Sequence, residues 1–158
     1  MNMTTLMDAI RNAVHDDSAT KSWCSTNYSR NHKVYVGVDT RKPPGEAEYP
    51  LVHIFPLSKS VGYDLEEASH VISVTCGVHT TDTVTVTGKD NIVEMQGVSH
   101  VEALRKLVET AIVGAMPAGC TIDALNIEYE TVEFYPFFLA NMEFTITETY
   151  YQGDGVFD

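Results

Sequence analysis

The stretch FFLANMEFTITETYY, residues 137–151, alternates between apolar and polar side chains over nearly its whole length. A period of two is typical of a strand with one buried and one exposed face. A second alternating stretch, 121–133, precedes it and ends before the Tyr135-Pro136 step. Two long neighbouring strands of this kind predict an antiparallel sheet with one face on a core. The residues predicted to face the core are Phe138, Ala140, Met142, Phe144 and Ile146, with Leu125, Ile127 and Tyr129 on the preceding strand.

Two helices are predicted to cover this sheet. Ser99 and Glu102 have the spacing of a capping box, and an unbroken apolar face follows them until Pro117 and Gly119 end the helix. Apolar residues at steps of three and four predict another helix over 3–15. Further strands are predicted at 33–40, 49–56 and 68–80, and a small hairpin at 83–96.

The order of these elements lacks a regular alternation of strand and helix. It predicts an α+β fold, a mostly antiparallel β-sheet with two helices packed on one face. The whole chain, 1–158, is expected to form one domain. The segments 16–32 and 41–48 are predicted to be flexible loops, 57–66 another connection, and 152–158 a frayed tail.

Composition excludes several classes of function. The chain of 158 residues has 10 basic and 22 acidic side chains, a formal net charge of −12. A protein that neutralises nucleic-acid phosphates needs clustered Lys and Arg, so sequence-specific nucleic-acid binding is not expected. The same charge opposes docking on anionic membranes, and no apolar run reaches the length of a membrane span. Three scattered cysteines and no secretory signal predict reduced thiols in a cytosolic compartment.

A search for catalytic patterns finds none that is complete. No Gly-x-Ser-x-Gly, phosphate-binding loop or metal-ligand spacing is present, and His70 and His79 would point to opposite faces of one strand. Glu128 and Glu130 share a strand face, and Glu143 can lie across from them. Such carboxylates suit a glycosidase or metal site, but a solvated or interface-facing sheet surface is favoured. We therefore expect a binding or assembly protein, not an enzyme, without metal or cofactor.

The whole-chain pattern resembles the tail terminator, or tail completion, proteins of long-tailed bacteriophages and prophages. The resemblance covers about 3–151. It rests on the helix–strand order, on the strand that begins Tyr49-Pro50-Leu51-Val52-His53-Ile54, and on the entry to the last strand, Phe134-Tyr135-Pro136-Phe137-Phe138. Two departures are the long 16–32 segment and the 83–96 hairpin.

The resemblance implies a structural virion protein. Members form a ring, typically a hexamer, that caps the tail tube, stops its polymerisation and offers a face to the head–tail connector. The implied partners are further copies of the chain, the tail tube protein and a connector or neck protein. The implied location is the host cytoplasm during assembly and then the virion tail. No catalytic residues are implied.

Five charged residues are candidates for the subunit interface or ring lumen. Arg41 and Lys42 are the basic pair expected to meet an acidic patch on a neighbour, although a solvated loop is the favoured explanation of them. Glu128, Glu130 and Glu143 lie in the segment 107–158, which contains no Lys or Arg and suits a lumen that repels DNA. Two alternatives stay open: another neck or head-completion joining protein of a phage or injection system, and a small α+β ligand-binding module or enzyme whose distributed site uses Glu128, Glu130 and the histidines.

Overall fold

The computed structural model describes residues 1–62 and 66–149. Three α-helices and seven strands follow one another along these residues, with a single 3₁₀ turn at Glu46–Glu48. The helices are α1 (Met3–Asp16), α2 (Ser18–Tyr28) and α3 (Gln96–Gly114). The strands are β1 (Lys33–Val36), β2 (Leu51–Val61), β3 (Glu67–His79), β4 (Thr83–Val86), β5 (Lys89–Met95), β6 (Cys120–Glu130) and β7 (Phe137–Thr149).

Five strands form one sheet in the order β1-β2-β3-β7-β6, and β4 and β5 form a separate hairpin. All neighbours in the large sheet are antiparallel except β1 and β2, which are parallel. The longest ladder joins β3 to β7, from Glu67 opposite Thr149 to His79 opposite Phe137. The predicted α+β class with a mostly antiparallel sheet is therefore confirmed.

The core lies between this sheet and the helices. Helix α1 contacts β1 and β2, α3 contacts β3 and β7, and α2 packs against α3. Alternate residues of the central strands point into this layer, as the period-two pattern predicts. The fully buried apolar residues of β7 are the predicted ones: Phe138, Ala140, Met142, Phe144 and Ile146.

Helix α2 corrects the prediction of a loop over 16–32, and it makes the number of helices three. Its polar sequence has no apolar stripe, and only Thr20 and Cys24 are buried. The N-terminus of the helix is nevertheless stabilised, because Asp17 is its N-cap and the Asp17 carboxylate accepts a hydrogen bond from Thr20 N at 2.7 Å. Trp23 and Tyr28 then anchor it against His100 of α3.

Several predicted boundaries also move. Strand β1 ends at Val36, because Gly37 adopts a φ of +74° that extended backbone does not allow. Strand β2 continues beyond Pro56 to Val61, and a register shift between Pro56 and Ser58 accommodates the missing N–H. The 41–48 segment contains the 3₁₀ turn, and the predicted frayed tail, 152–158, lies outside the described residues.

The predicted capping box of α3 is wrong, because the helix begins one turn earlier, at Gln96. Ser99 is already helical, and its hydroxyl donates to the carbonyl of Gln96 at 3.0 Å. Glu102 instead forms an i,i+4 ion pair with Lys106 at 3.1 Å. The early start places Gly97 against the buried ring of Phe138, which leaves no space for a β-carbon.

Candidate interaction surfaces

The candidate basic pair lies in the segment that follows β1. The Arg41 guanidinium binds the Asp39 carboxylate through two hydrogen bonds of 2.9 and 3.2 Å, and it holds the pKa of Asp39 below its usual range. Both Arg41 and Lys42 are exposed, and the Lys42 backbone N–H donates to the Asp39 carbonyl at 3.0 Å. The local turn therefore presents two cations outward, of which Arg41 already has a partner.

The region beside this turn is tied to β1 by Glu48. The Glu48 carboxylate accepts hydrogen bonds from the Tyr35 hydroxyl at 2.7 Å and from Lys33 Nζ at 3.2 Å. These two donors lower the pKa of Glu48, the tyrosine being the larger cause. Arg30 Nη1 also donates to the Ala47 carbonyl at 2.7 Å. The edge of the sheet at β1 is thus lined by Arg30 and Lys33 in addition to the candidate pair.

The three candidate carboxylates share one face of the sheet, as the alternation predicts. Glu128 is opposite Asn141, and Glu143 is opposite Asn126 on one side and Ser73 on the other. Glu128 and Glu130 are exposed on the edge strand β6, whereas Glu143 is half-buried on β7. This face points away from the helices, so the carboxylates form an acidic surface and not a closed pocket.

The structure does not bring the basic and acidic candidates together. Arg41 and Lys42 follow the edge strand β1, whereas Glu128 and Glu130 lie on the other edge strand, β6. Four interstrand spacings of ~4.8 Å separate the two edges by about 19 Å. The candidates therefore mark two opposite sides of the molecule.

A hairpin arm, formed by β4 and β5, projects from the end of β3. Its side chains are almost all exposed, and the exposed fractions are 65% for Val93, 44% for Val84 and 43% for Met95. Val84 is opposite Glu94 and Val93 is opposite Thr85, so the two valines lie on different faces of the arm. Apolar surface is open on both sides, a property that the sequence pattern of a small hairpin does not reveal.

A second apolar surface lies at the same end of the sheet. Pro43, Pro44, Tyr49, Phe134, Phe137 and Leu139 line a cleft of about 340 Å³. The rings of Tyr49 and Phe137 are 4.9 Å apart at its base. Nearby, Val132 is 81% exposed and Tyr135 is 50% exposed. Sequence reasoning missed this surface, although the run of apolar residues in the turn 132–138 is a signal that could have found it.

The histidines are dispersed over the molecule. His70 is fully buried on the helix-facing side of β3, where its Nε2 atom lies 3.1 Å from a Glu148 carboxylate oxygen. His79 lies on the other face of the same strand, opposite Phe137, as predicted. His100 shares a hydrogen bond of 2.8 Å with the Tyr28 hydroxyl, and burial lowers its pKa.

Within residues 1–62 and 66–149, no group of three or more His, Cys, Asp or Glu side chains is arranged to hold a metal ion. No helix in these ranges is long and apolar enough to cross a membrane.

Comparison with known families identifies no relative. No family model matches the chain, and no curated protein matches it.

Proposed function

We propose that this chain is a structural assembly protein that forms a homo-oligomeric ring, caps a phage tail tube, ends its polymerisation and offers the head-facing joining surface. The observation that carries the proposal is the exposed apolar surface of the hairpin arm and of the neighbouring turn. Large exposed apolar patches are characteristic of protein–protein contact sites. Val93 and Val132 are 65% and 81% exposed, so a contact that covers them would remove apolar area from water and gain free energy.

The hairpin arm supports assembly for a second reason. A two-stranded hairpin that stands alone is at best marginally stable in water. At the base of the arm the Gln96 N–H donates to the Asp82 carbonyl at 3.0 Å and closes the hairpin, and just before it the Thr80 N–H donates to the Pro136 carbonyl at 3.2 Å. Its remaining length has apolar residues on both faces and no cover among the described residues. A partner subunit or the tail tube would supply that cover.

Charge supports the same function. The described residues beyond Lys106 contain no Lys or Arg, and Glu128, Glu130 and Glu143 all lie on the sheet face that the helices leave uncovered. Like charge repels the DNA backbone, so this face suits the wall of a channel through which DNA passes. The proposed partners are further copies of the chain, the tail tube protein and a connector or neck protein. The proposed location is the host cytoplasm and then the virion.

The distributed enzyme site has no comparable support. It would need Glu128 and Glu130 close to histidines, but both carboxylates are exposed at the sheet edge. The fully buried His70 lies on the opposite face, under the helices, and His79, on the outward face of β3, has Glu46 as its carboxylate neighbour at 3.5 Å. No observation favours this alternative.

Tube growth in vitro tests the proposal directly. Tail tube protein from the phage or prophage that carries this chain is polymerised with increasing amounts of the protein, and tube lengths are measured by negative-stain electron microscopy. A cap stops growth at about one ring per tube end and appears as density at that end. Tubes that keep their length distribution and lack end density would contradict the proposal.

A pair of matched variants makes the test specific to the arm. Val93→Lys changes an exposed valine of the arm, and Val113→Lys changes a similarly exposed valine, 54% accessible, in the last turn of α3. We expect Val93→Lys to lose tube capping and Val113→Lys to retain it, while both keep the melting temperature within a few degrees. Equal capping by both variants would show that the arm does not make the contact.

A further inference from the structure

Both edges of the five-stranded sheet are open within the described part of the chain. Strands β1 and β6 each pair on one side only, with β2 and β7 respectively. Strand β6 is 11 residues long, and most of its residues are exposed. An open edge of this length is a template for another strand, because its outward N–H and C=O groups lack backbone partners.

The two edges run in opposite directions. Strand β1 is parallel to β2, and the three antiparallel steps from β2 through β3 and β7 to β6 reverse the direction an odd number of times. If copies of the molecule repeat head to tail, β1 and β6 of every copy keep these opposite directions. Strand β6 of one copy would therefore lie antiparallel to β1 of the next, which is the arrangement that sheets extend most readily.

The helix-facing rows of the two edges are both apolar. On β1 this row contains Val34 and Val36, and Val36 is 51% exposed. On β6 it contains Leu125, Ile127 and Tyr129, and Tyr129 is 46% exposed. A groove of about 280 Å³ lies between α1 and β1, lined by Arg11, Asn12, His15 and Val34. The groove lies beside the open edge, where a helix-facing apolar side chain of an added strand would reach it; Tyr129 itself donates its hydroxyl hydrogen bond to Glu102 of its own α3.

The outward rows of the two edges have opposite charges. Lys33 lies on this row of β1, where it binds Glu48 at 3.2 Å and stays 55% exposed, and Glu128 and Glu130 lie on this row of β6. The segments around β1 and β6 also differ in net charge, with the more positive one around β1. Residues 30–48 contain four basic and three acidic side chains, whereas residues 120–133 contain four acidic side chains and no basic one. Two β6 edges would place like charges opposite one another, so the charges favour contact between unlike edges.

We propose that β6 of one copy of this chain adds to the β1 edge of the next, so that the sheet continues from subunit to subunit. This inference rests on the proposed self-association and specifies the contact that produces it. Because the two surfaces differ, the contact is heterologous, and it generates a ring when the rotation between copies closes. Arg41 and Lys42, beside β1, then face the acidic edge of the neighbour.

A charge swap tests the contact. Lys33→Glu and the pair Glu128→Lys with Glu130→Lys are exposed substitutions, and each is expected to raise the concentration for half-assembly by about tenfold or more. Combining all three substitutions restores opposite charges and should return assembly to near the wild-type concentration. Glu67→Lys, an exposed charge reversal on the central strand β3, is the control and should have no effect. Light scattering after size exclusion measures assembly, and circular dichroism checks that each variant folds.

Disulfide trapping gives a second, independent result. In a Cys120→Ser background, Lys33→Cys is combined in turn with Asn126→Cys, Glu128→Cys or Glu130→Cys, and the protein is oxidised. At least one pair should yield a ladder of dimers, trimers and larger species on a denaturing gel, and no single-cysteine variant should.

The possible outcomes separate the two proposals. Wild-type rings that are indifferent to charge reversal and give no ladder would overturn the edge contact and leave the proposed function standing. A dimer alone, trapped by the single Glu128→Cys variant, would overturn it in favour of a symmetric β6–β6 pair. A wild-type chain that stays monomeric, alone and with tail tubes, would overturn the proposed function itself.

Discussion

Gly97 lies where α3 crosses the sheet, and a single methyl group there should destabilise the fold. A β-carbon built on Gly97 would lie 2.1 Å from Phe138 Cδ2, 2.3 Å from Cε2 and 2.6 Å from Cγ. Carbon atoms pack at about 3.5–4.0 Å, so Gly97→Ala requires a relative movement of more than ~1 Å. Phe138 is 1% exposed and packs edge-on against the ring of Tyr135, with ring centroids 6.1 Å apart, so movement of its ring disturbs the core.

The expected magnitude follows from two opposing effects. Overpacking of a close-packed core costs about 1–3 kcal/mol and sometimes more. Alanine gains up to about 1 kcal/mol over glycine within a helix, and less in the first turn, where Gly97 lies. The difference of the two effects is the expected result: Gly97→Ala lowers the free energy of unfolding by about 0.5–2.5 kcal/mol.

The same substitution at Gly114 provides the control. Gly114 ends α3, and a β-carbon there would meet no atom within 4 Å. Gly114→Ala should be neutral or stabilising by up to about 0.5–1 kcal/mol. Urea unfolding followed by circular dichroism measures both variants.

Two results test whether the contact with Phe138 causes the loss of stability in Gly97→Ala. In a Phe138→Leu background the cost of Gly97→Ala should fall, with a coupling of about 0.5–3 kcal/mol between the two sites. If Gly97→Ala is as stable as Gly114→Ala within about 0.5 kcal/mol, the close packing of α3 on β7 is refuted.

Three further predictions concern other parts of the fold. Arg105→Met removes the hydrogen bonds that are the largest cause of the lowered pKa of Glu102, which is about 2 in the wild type, while the contacts from Tyr129 and Lys106 remain. The substitution should lower the free energy of unfolding by about 1–3 kcal/mol at neutral pH. A lowered carboxyl pKa contributes stability that is lost as pH falls from the unfolded-state pKa through about 2, so acid should narrow the difference in free energy of unfolding between variant and wild type in urea titrations, and a constant difference would contradict the assignment. Burial lowers the pKa of His100, whose ring lies 5.5 Å from the ring of Trp23. Tryptophan fluorescence should therefore change with pH at a midpoint below the ordinary histidine range, and His100→Asn should abolish this change. If the change persists in the variant, it comes from a group other than His100. Of the three cysteines, Cys120 alone is not fully buried. A thiol reagent should therefore label at most one thiol in the native chain and all three in urea. Rapid labelling of all three thiols in the native chain would contradict the burial of Cys24 and Cys76 in the core.

The strands of the five-stranded sheet and two of the helices could be predicted because their side chains alternate between a buried and an exposed environment. Strand β7 shows this most clearly, since every second residue from Phe138 onward is buried. Helix α2 could not be predicted in this way, because it is buried through two residues only and its polar sequence lacks a periodic signal. Its stability comes from the Asp17 cap and from tertiary contacts of Trp23 and Tyr28 with α3.

The sequence identifies which charged residues form the candidate surfaces, but it does not show where on the molecule they lie. Alternation places Glu128 and Glu130 on one face, yet it does not say that β6 is an edge strand. The strand order β1-β2-β3-β7-β6 depends on pairing between residues far apart in sequence, as when β7 inserts between β3 and β6. For the same reason the separation of Arg41 and Lys42 from the acidic edge, and the parallel pairing of β1 with β2, emerge only from the structure.

The mass of the particle in solution tests self-association most directly. Light scattering after size exclusion, run over a wide range of protein concentrations with and without tail tubes, distinguishes a closed ring from other assemblies. The proposal predicts one defined particle of about six chains, because a heterologous contact that closes allows a single stoichiometry. A monomer at every concentration and in the presence of tubes, or a continuous series of growing species, would contradict it.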